Sequence, residues 1–81
     1  MDQVKTGALI RALRTQKGLT QKALAEAVGV GDKAVSKWER GLGCPDVSLL
    51  PELSRVLGVR LEALLSGELD AKDQERGNMK K

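Results

Sequence analysis

Histidine, phenylalanine and tyrosine are absent from the 81 residues, and cysteine and tryptophan occur once each. Without histidine, the common zinc sites, general-base centres and catalytic triads lack their central residue, so we expect neither an enzyme nor a metal or other cofactor. The lone Cys44 cannot form an intramolecular disulfide, and no feature of the chain indicates an oxidising compartment. Because Trp38 is the only aromatic side chain, the stacking surfaces of RNA and single-strand binders are disfavoured.

Long apolar runs are missing too. No stretch approaches the ~20 residues that cross a bilayer, and the first residues show no signal-peptide pattern, so we expect a cytoplasmic protein without a membrane partner. A chain of this length has room for one core. Apolar residues make up 41% and charged residues 31%, which is a globular balance. The apolar residues are mostly Leu, Val and Ala, and this favours helices packed through aliphatic side chains.

The net charge of +3 is unevenly distributed along the chain. Residues 1–66 hold ten Lys and Arg against seven Asp and Glu, whereas residues 67–81 hold four of each. The excess of positive charge therefore lies in the first part of the chain, where a surface for a polyanion is possible.

Apolar spacing and capping residues predict five helices and no strand. The helices are expected at about 4–17, 20–28, 32–40, 48–57 and 59–66, and a glycine follows each of them. Thr20 and Ser48 are the predicted N-caps of the second and fourth helices. A cap at Ser48 places Pro51 in the first turn, where its missing N–H has no partner to lose. Three leucines of the fifth helix are expected to face the core: Leu61, Leu64 and Leu65.

The segment that joins the second and third helices meets the steric requirements of a helix-turn-helix. Two short helices that cross at ~90–120° through a tight turn need a small residue at their closest approach, and Ala25 fills this position. Gly29 tolerates the positive φ that such a turn requires. Val35 and Trp38 then place an apolar wedge on the inner side of the third helix. No proline interrupts either helix.

The chain resembles the phage-repressor and Cro-like (Xre-type) helix-turn-helix family from about residue 7 to residue 67. The residues that carry the resemblance are Gly18-Leu19-Thr20-Gln21, Leu24-Ala25, Val28-Gly29-Val30, Ala34 to Gly41, Pro45-Asp46, Leu57-Gly58-Val59 and Leu61 to Leu65. The resemblance implies an all-α, five-helix, lambda-repressor-like domain whose third helix enters the major groove. The implied function is sequence-specific binding of double-stranded DNA, as a transcriptional regulator that forms a homodimer on a two-fold operator.

The resemblance also implies which residues contact DNA. Base contacts are implied for Asp32, Lys33, Ser36 and Lys37, of which Ser36 lies near the sugar-phosphate wall. Phosphate contacts are implied for Gln21, for Arg40 and for the loop backbone from Leu42 to Cys44. The spacing of the polar residues supports this independently, because they recur at i, i+1, i+4, i+5 and i+8 and form one stripe on the third helix.

Two positions bear on how the third helix is held. Arg14 and Glu39 match a pair that, in the family, joins helix one to helix three beneath the DNA-facing surface, and we expect them in direct contact and mostly shielded from solvent. The alternative is two independent surface charges. Gly31 departs from the family, which usually has Ser or Thr before the third helix. One cap is therefore missing, at a cost of up to a few tenths of a kcal/mol.

Residues 1–67 are expected to form the DNA-binding domain. Residues 68–81 are polar and are predicted to be a tail, or a linker to a further domain that this sequence does not include. An alternative function is a protein-interaction module of the same fold, such as the antitoxin of a toxin–antitoxin pair. The sequence leaves the operator, the effector and the choice between repressor and activator undetermined.

Overall fold

The fold, described over residues 1–69 in a computed structural model, consists of five α-helices and one 3-10 turn, without a strand in that range. The helices are α1 (Gln3–Gln16), α2 (Gln21–Val28), α3 (Asp32–Glu39), α4 (Leu50–Leu57) and α5 (Leu61–Ser66). The predicted all-α, five-helix architecture is therefore confirmed. Most of the predicted tail, residues 70–81, lies outside the described residues. Within residues 1–69, none of the helices has the length and apolar character needed to cross a membrane.

Short polar side chains begin the first two helices. The Asp2 carboxylate accepts a hydrogen bond from the backbone N–H of Lys5 at 2.9 Å and caps α1. The Thr20 hydroxyl accepts one from the backbone N–H of Ala23 at 2.9 Å, so the predicted cap of α2 is confirmed. Such bonds satisfy N–H groups that have no partner inside the helix. Gly31 makes no side-chain cap at α3, as its lack of a side chain requires.

The beginning of α4 differs from the prediction. Ser48 is not its N-cap, because Asp46 caps a 3-10 turn over Val47–Leu49 and α4 begins only at Leu50. The Asp46 carboxylate accepts from the backbone N–H of Ser48 at 3.0 Å and from its hydroxyl at 2.5 Å. The Ser48 hydroxyl is thus a donor to the cap and not a cap itself. Pro51 does lie in the first turn of α4, as predicted.

The predicted core face of α5 was partly wrong. The helix begins at Leu61, because Arg60 is extended and Val59 already packs into the core. Ala63 and Leu64 are buried, whereas Leu61 and Leu65 are 39% and 43% exposed. α5 packs against α1 and α4 with the face that carries Ala63 and Leu64, and Leu61 and Leu65 lie outside that face.

α3 packs against both α1 and α2. Its inner residues Val35 and Trp38 join a core with Ile10, Leu24 and Leu53. The core is closed by long-range contacts between α1, α4 and α5. The helix that offers the polar stripe to solvent is therefore fixed on two sides.

The backbones of α1 and α3 lie very close together at Gly7. A Cβ atom added at Gly7 would lie 1.8 Å from the carbonyl oxygen of Trp38, far inside the contact distance of any two atoms. Only glycine fits there. This position therefore sets the separation between α1 and α3.

Candidate nucleic-acid interface

The turn between α2 and α3 has the geometry that the sequence predicted. Ala25 is 2% exposed where the two helices meet, and Gly29 has a φ of +80°. The backbone N–H groups of Gly29 and Val30 both donate to the carbonyl of Ala25, so the end of α2 is closed by its own backbone. Val35 and Trp38 are buried on the inner face of α3. The orientation of α3 is thus set by a short, rigid turn.

The outer face of α3 is polar and mainly cationic. Four of its predicted DNA-contacting residues are exposed, namely Asp32, Lys33, Lys37 and Arg40, and Ser36 is half-buried among them. The three cations form no ion pair with any residue in the described range 1–69. The Arg40 Nε donates to the Ser36 carbonyl at 3.3 Å, which holds the guanidinium along the end of α3. The stripe therefore presents three cations and one carboxylate to solvent.

The predicted ion pair between α1 and α3 is present in the structure. Arg14 donates to Glu39 through two nitrogens, Nε to Oε2 at 2.5 Å and Nη2 to Oε1 at 3.0 Å. Its third nitrogen, Nη1, donates to the Leu19 carbonyl at 2.7 Å. The side chains are only 12% and 4% exposed, so the pair is mostly shielded from solvent. The hydrogen bond to Glu39 raises the pKa of Arg14, which is charged at any ordinary pH.

Gln21 lies at the first position of α2, half-buried against the end of α3. Its side-chain Nε2 donates to Glu39 Oε1 at 3.0 Å. The resemblance to the family implied a phosphate contact for Gln21, and nothing in the sequence indicated Glu39 as its partner. The contact brings the N-terminus of α2 beside the C-terminal end of the polar stripe.

The loop after α3 offers fewer donors than expected. The backbone N–H of Leu42 donates to the Lys37 carbonyl at 3.0 Å, and that of Gly41 donates to the Trp38 carbonyl at 3.0 Å. Leu42 was expected to contact a phosphate through its backbone, but its N–H is already used to close α3. The N–H groups of Gly43 and Cys44 follow directly, and no acceptor for either is found within residues 1–69.

Residues 1–69 contain no group of three His, Cys, Asp or Glu side chains placed to hold an ion. Cys44 is a half-buried free thiol in the loop after α3.

The short α2, the left-handed glycine turn and the solvent-facing polar helix together define a helix-turn-helix domain. The profile of the Helix-turn-helix family matches residues 10–64. The chain belongs to this family and within it to the phage-repressor and Cro-like (Xre-type) proteins, as the resemblance in sequence indicated.

Three relatives place the chain within the family. It is 43% identical to the HTH-type transcriptional activator BcrR of Enterococcus faecalis in an alignment of length 75 that covers 89% of this chain and 37% of BcrR. The structure of the c2 repressor of Salmonella phage P22 with a synthetic operator has a TM-score of 0.73 and 38% identity, covering 78% of this chain and 96% of that one. The biofilm regulator SinR, solved with DNA, has a TM-score of 0.67 and 36% identity, covering 74% and 97%. The chain thus spans little more than a third of BcrR.

Proposed function

We propose that this domain binds double-stranded DNA in a sequence-specific manner and serves a transcriptional regulator. The observation that carries the proposal is the exposed cationic stripe on α3, a helix that α1 and α2 hold in a fixed orientation. The P22 c2 repressor and SinR, which share the fold, were solved on DNA. An α-helix of this kind fits the major groove, where each base pair presents a distinct pattern of donors and acceptors.

The base contacts that we propose follow from the chemistry of the stripe. Lys33 and Lys37 would donate to guanine O6 and N7, and the Asp32 carboxylate would accept from cytosine N4. Asp32 also lies in the first turn of α3, where a carboxylate offsets the helix dipole. Ser36, half-buried beside Arg40, would contact the sugar-phosphate wall.

The phosphate contacts that we propose lie at either end of the stripe. Gln21 and the first N–H groups of α2 would bind one phosphate, because a helix N-terminus favours an anion. Arg40 would bind a second. In the loop we assign the contact to the backbone of Gly43 and Cys44 instead of Leu42, because the Leu42 N–H is already paired with Lys37.

We also propose a homodimer on a two-fold operator, since one α3 reads only a few base pairs and half-sites one helical turn apart need two copies. The proposed domain comprises residues 1–67, residues 68–81 are proposed to be a polar tail or a linker, and the proposed location is the cytoplasm. The domain itself is proposed to be non-catalytic. The antitoxin alternative is not favoured, since the relatives named above are transcriptional regulators or were solved on DNA.

Selection of bound sites from a random duplex library tests this function. The wild-type chain is expected to enrich one pseudo-palindromic motif that contains guanine. Lys37→Ala should relax the preference at one position of that motif and cost ~1–3 kcal/mol on the best site, with less effect on random DNA. The matched control is Lys17→Ala. This lysine is also exposed, but it lies beside Gly58 at the end of α4 and not on the polar stripe of α3.

Two outcomes would count against the proposal. If the library shows no enrichment, the domain does not read sequence. If Lys37→Ala weakens binding to all duplexes equally, Lys37 contacts phosphate and another residue provides the readout.

A further inference from the structure

The carboxylate of Glu39 accepts hydrogen bonds from Gln21 as well as from its ion-pair partner Arg14. Oε1 accepts both from Arg14 Nη2 and from Gln21 Nε2, each at 3.0 Å, and Oε2 accepts from Arg14 Nε at 2.5 Å. The Glu39 side chain is only 4% exposed, so this carboxylate is enclosed by donors from α1 and α2. One buried acceptor therefore connects the N-terminus of α2 to the end of α3.

This contact determines which way the Gln21 amide points. An ionised carboxylate can only accept hydrogen bonds, so the amide must turn its nitrogen, and not its oxygen, toward Glu39. The same nitrogen carries a second hydrogen, which is left for another acceptor. A phosphate also only accepts, so it can bind this remaining N–H but would be repelled by the amide oxygen.

We infer that Glu39 is a positioning residue for a DNA contact that Gln21 makes. It holds the Gln21 amide in the one orientation that offers N–H to a phosphate, and this inference rests on the proposed function. The guanidinium of Arg14 neutralises the Glu39 charge through two hydrogen bonds, so the carboxylate can lie close to a polyanion. Without Glu39, the amide would be free to turn its oxygen outward.

A double-mutant cycle on duplex affinity tests the inference. A glutamine at position 39 has one acceptor oxygen for the three N–H donors, and its own NH₂ would draw the Gln21 oxygen inward. Gln21→Ala is expected to weaken binding about tenfold, as the loss of a hydrogen bond to a charged group does. Glu39→Gln should weaken it several-fold in the wild-type chain. In the Gln21→Ala background, Glu39→Gln should add no further loss beyond about twofold.

The dissociation constants are measured on the duplex selected from the library, at a temperature where circular dichroism shows all four chains folded. If Glu39→Gln weakens binding by the same factor in both backgrounds, Glu39 acts through the fold and not through Gln21, and the inference is wrong. If it has no effect in either background, the inference is equally wrong. If the wild-type chain binds no duplex, the proposed function itself has failed.

A second measurement uses the wild-type chain, so it does not depend on whether a variant at position 39 folds. In the free wild-type chain, NMR should show slower hydrogen exchange for the side-chain NH₂ of Gln21 than for that of Gln16, an exposed glutamine at the end of α1. The Gln21→Ala spectrum assigns the resonance. Equal exchange at the two glutamines would show that Glu39 does not hold the amide, and would overturn the inference even if DNA is bound.

Discussion

Glu39 is electrostatically misplaced at the end of α3, because the last turn of a helix carries partial negative charge. Arg14 compensates by donating two hydrogen bonds to it, and the pair lies largely away from water. Removal of one partner of a shielded pair leaves the charge of the other partner uncompensated. The resulting loss in the free energy of unfolding is larger than the net contribution of the intact pair. The stability of the domain should therefore depend strongly on either residue.

We expect Glu39→Gln to lower the free energy of unfolding by about 3 kcal/mol, a large share of the ~5–10 kcal/mol of a small domain. Arg14→Lys should cost less, because a lysine keeps the charge but not the two-pronged geometry. Urea unfolding followed by circular dichroism measures both. The matched control is Glu52→Gln on α4, whose partner Arg55 is exposed, and it should change stability little. Equal effects at Glu39 and Glu52 would contradict a structural role for the buried pair.

Asp46 is a second residue whose ionisation stabilises the fold. The hydroxyl of Ser48 and its backbone N–H both donate hydrogen bonds to the carboxylate. These bonds, of which the one from the hydroxyl has the larger effect, hold the pKa of Asp46 below its ordinary value. Because the folded pKa is the lower one, the stabilisation is complete above the unfolded pKa of about 4 and is lost as the pH falls through the folded pKa.

Asp46→Ala should therefore lower the melting temperature at neutral pH and have a progressively smaller effect as the pH falls below about 4. Thermal melts of both chains over this range measure the difference. Ser48→Ala is the partial control, since it removes the hydroxyl and keeps the backbone donor. A difference in melting temperature that does not change with pH would show that the Asp46 charge plays no part.

At the scale of the elements, α2 and α3 form at the positions that the sequence predicts. The distance between α1 and α3 depends instead on the atomic contact between them at Gly7. Ala is a better helix former than Gly by up to ~1 kcal/mol, so propensity alone predicts that Gly7→Ala stabilises α1. A Cβ added at position 7 would lie 1.8 Å from the Trp38 carbonyl oxygen, and this clash predicts that Gly7→Ala destabilises the domain.

We expect the contact to dominate, so Gly7→Ala should destabilise the domain by ~1–3 kcal/mol, as overpacking in a core does. Ala8→Gly, at the adjacent exposed position of α1, measures the propensity term without the clash and should cost up to ~1 kcal/mol. Chemical unfolding of both variants gives the comparison. A Gly7→Ala chain that is more stable than the wild type would mean that α1 and α3 can separate at little cost.

At the scale of the whole molecule, the expected affinity for DNA depends more on where the cations lie than on the net charge. The chain carries only +3, but three cations lie together on α3. If a bound dimer makes ~6 phosphate contacts, the logarithm of the association constant should fall with a slope near −5 against the logarithm of salt concentration. Fluorescence anisotropy on a non-specific duplex at increasing salt measures the slope. An affinity that is the same at low and high salt would rule out phosphate neutralisation as the source of binding.

The ends of the described chain meet at one edge of the molecule. The buried hydroxyl of Thr6 donates to the Leu64 carbonyl at 2.8 Å, and Lys5 Nζ pairs with Glu68 Oε2 at 2.6 Å. Since these residues are more than fifty positions apart, no local pattern indicates that they touch. The contacts fasten α5 to the start of α1.

The amino-acid sequence alone predicts the five helices, the cap at Thr20, the turn at Gly29 and the wedge of Val35 and Trp38, although α4 and α5 begin two residues later than predicted. These features depend on spacing and backbone preference within a few residues, so they can be predicted locally. The pairing of Arg14 with Glu39 was reached only through the resemblance to a family, because twenty-five residues separate the two.

Three-dimensional packing determines three further features: which leucines of α5 face the core, how closely α1 approaches α3 at Gly7, and the hydrogen bond by which Glu39 holds the Gln21 amide. A leucine at helical spacing can face inward or outward, and a glycine in a helix looks like a defect until its neighbour is known. The amide of a surface glutamine likewise has no preferred direction by itself. In each case the choice is made by atoms far away in the chain, which come into contact only when the core has packed.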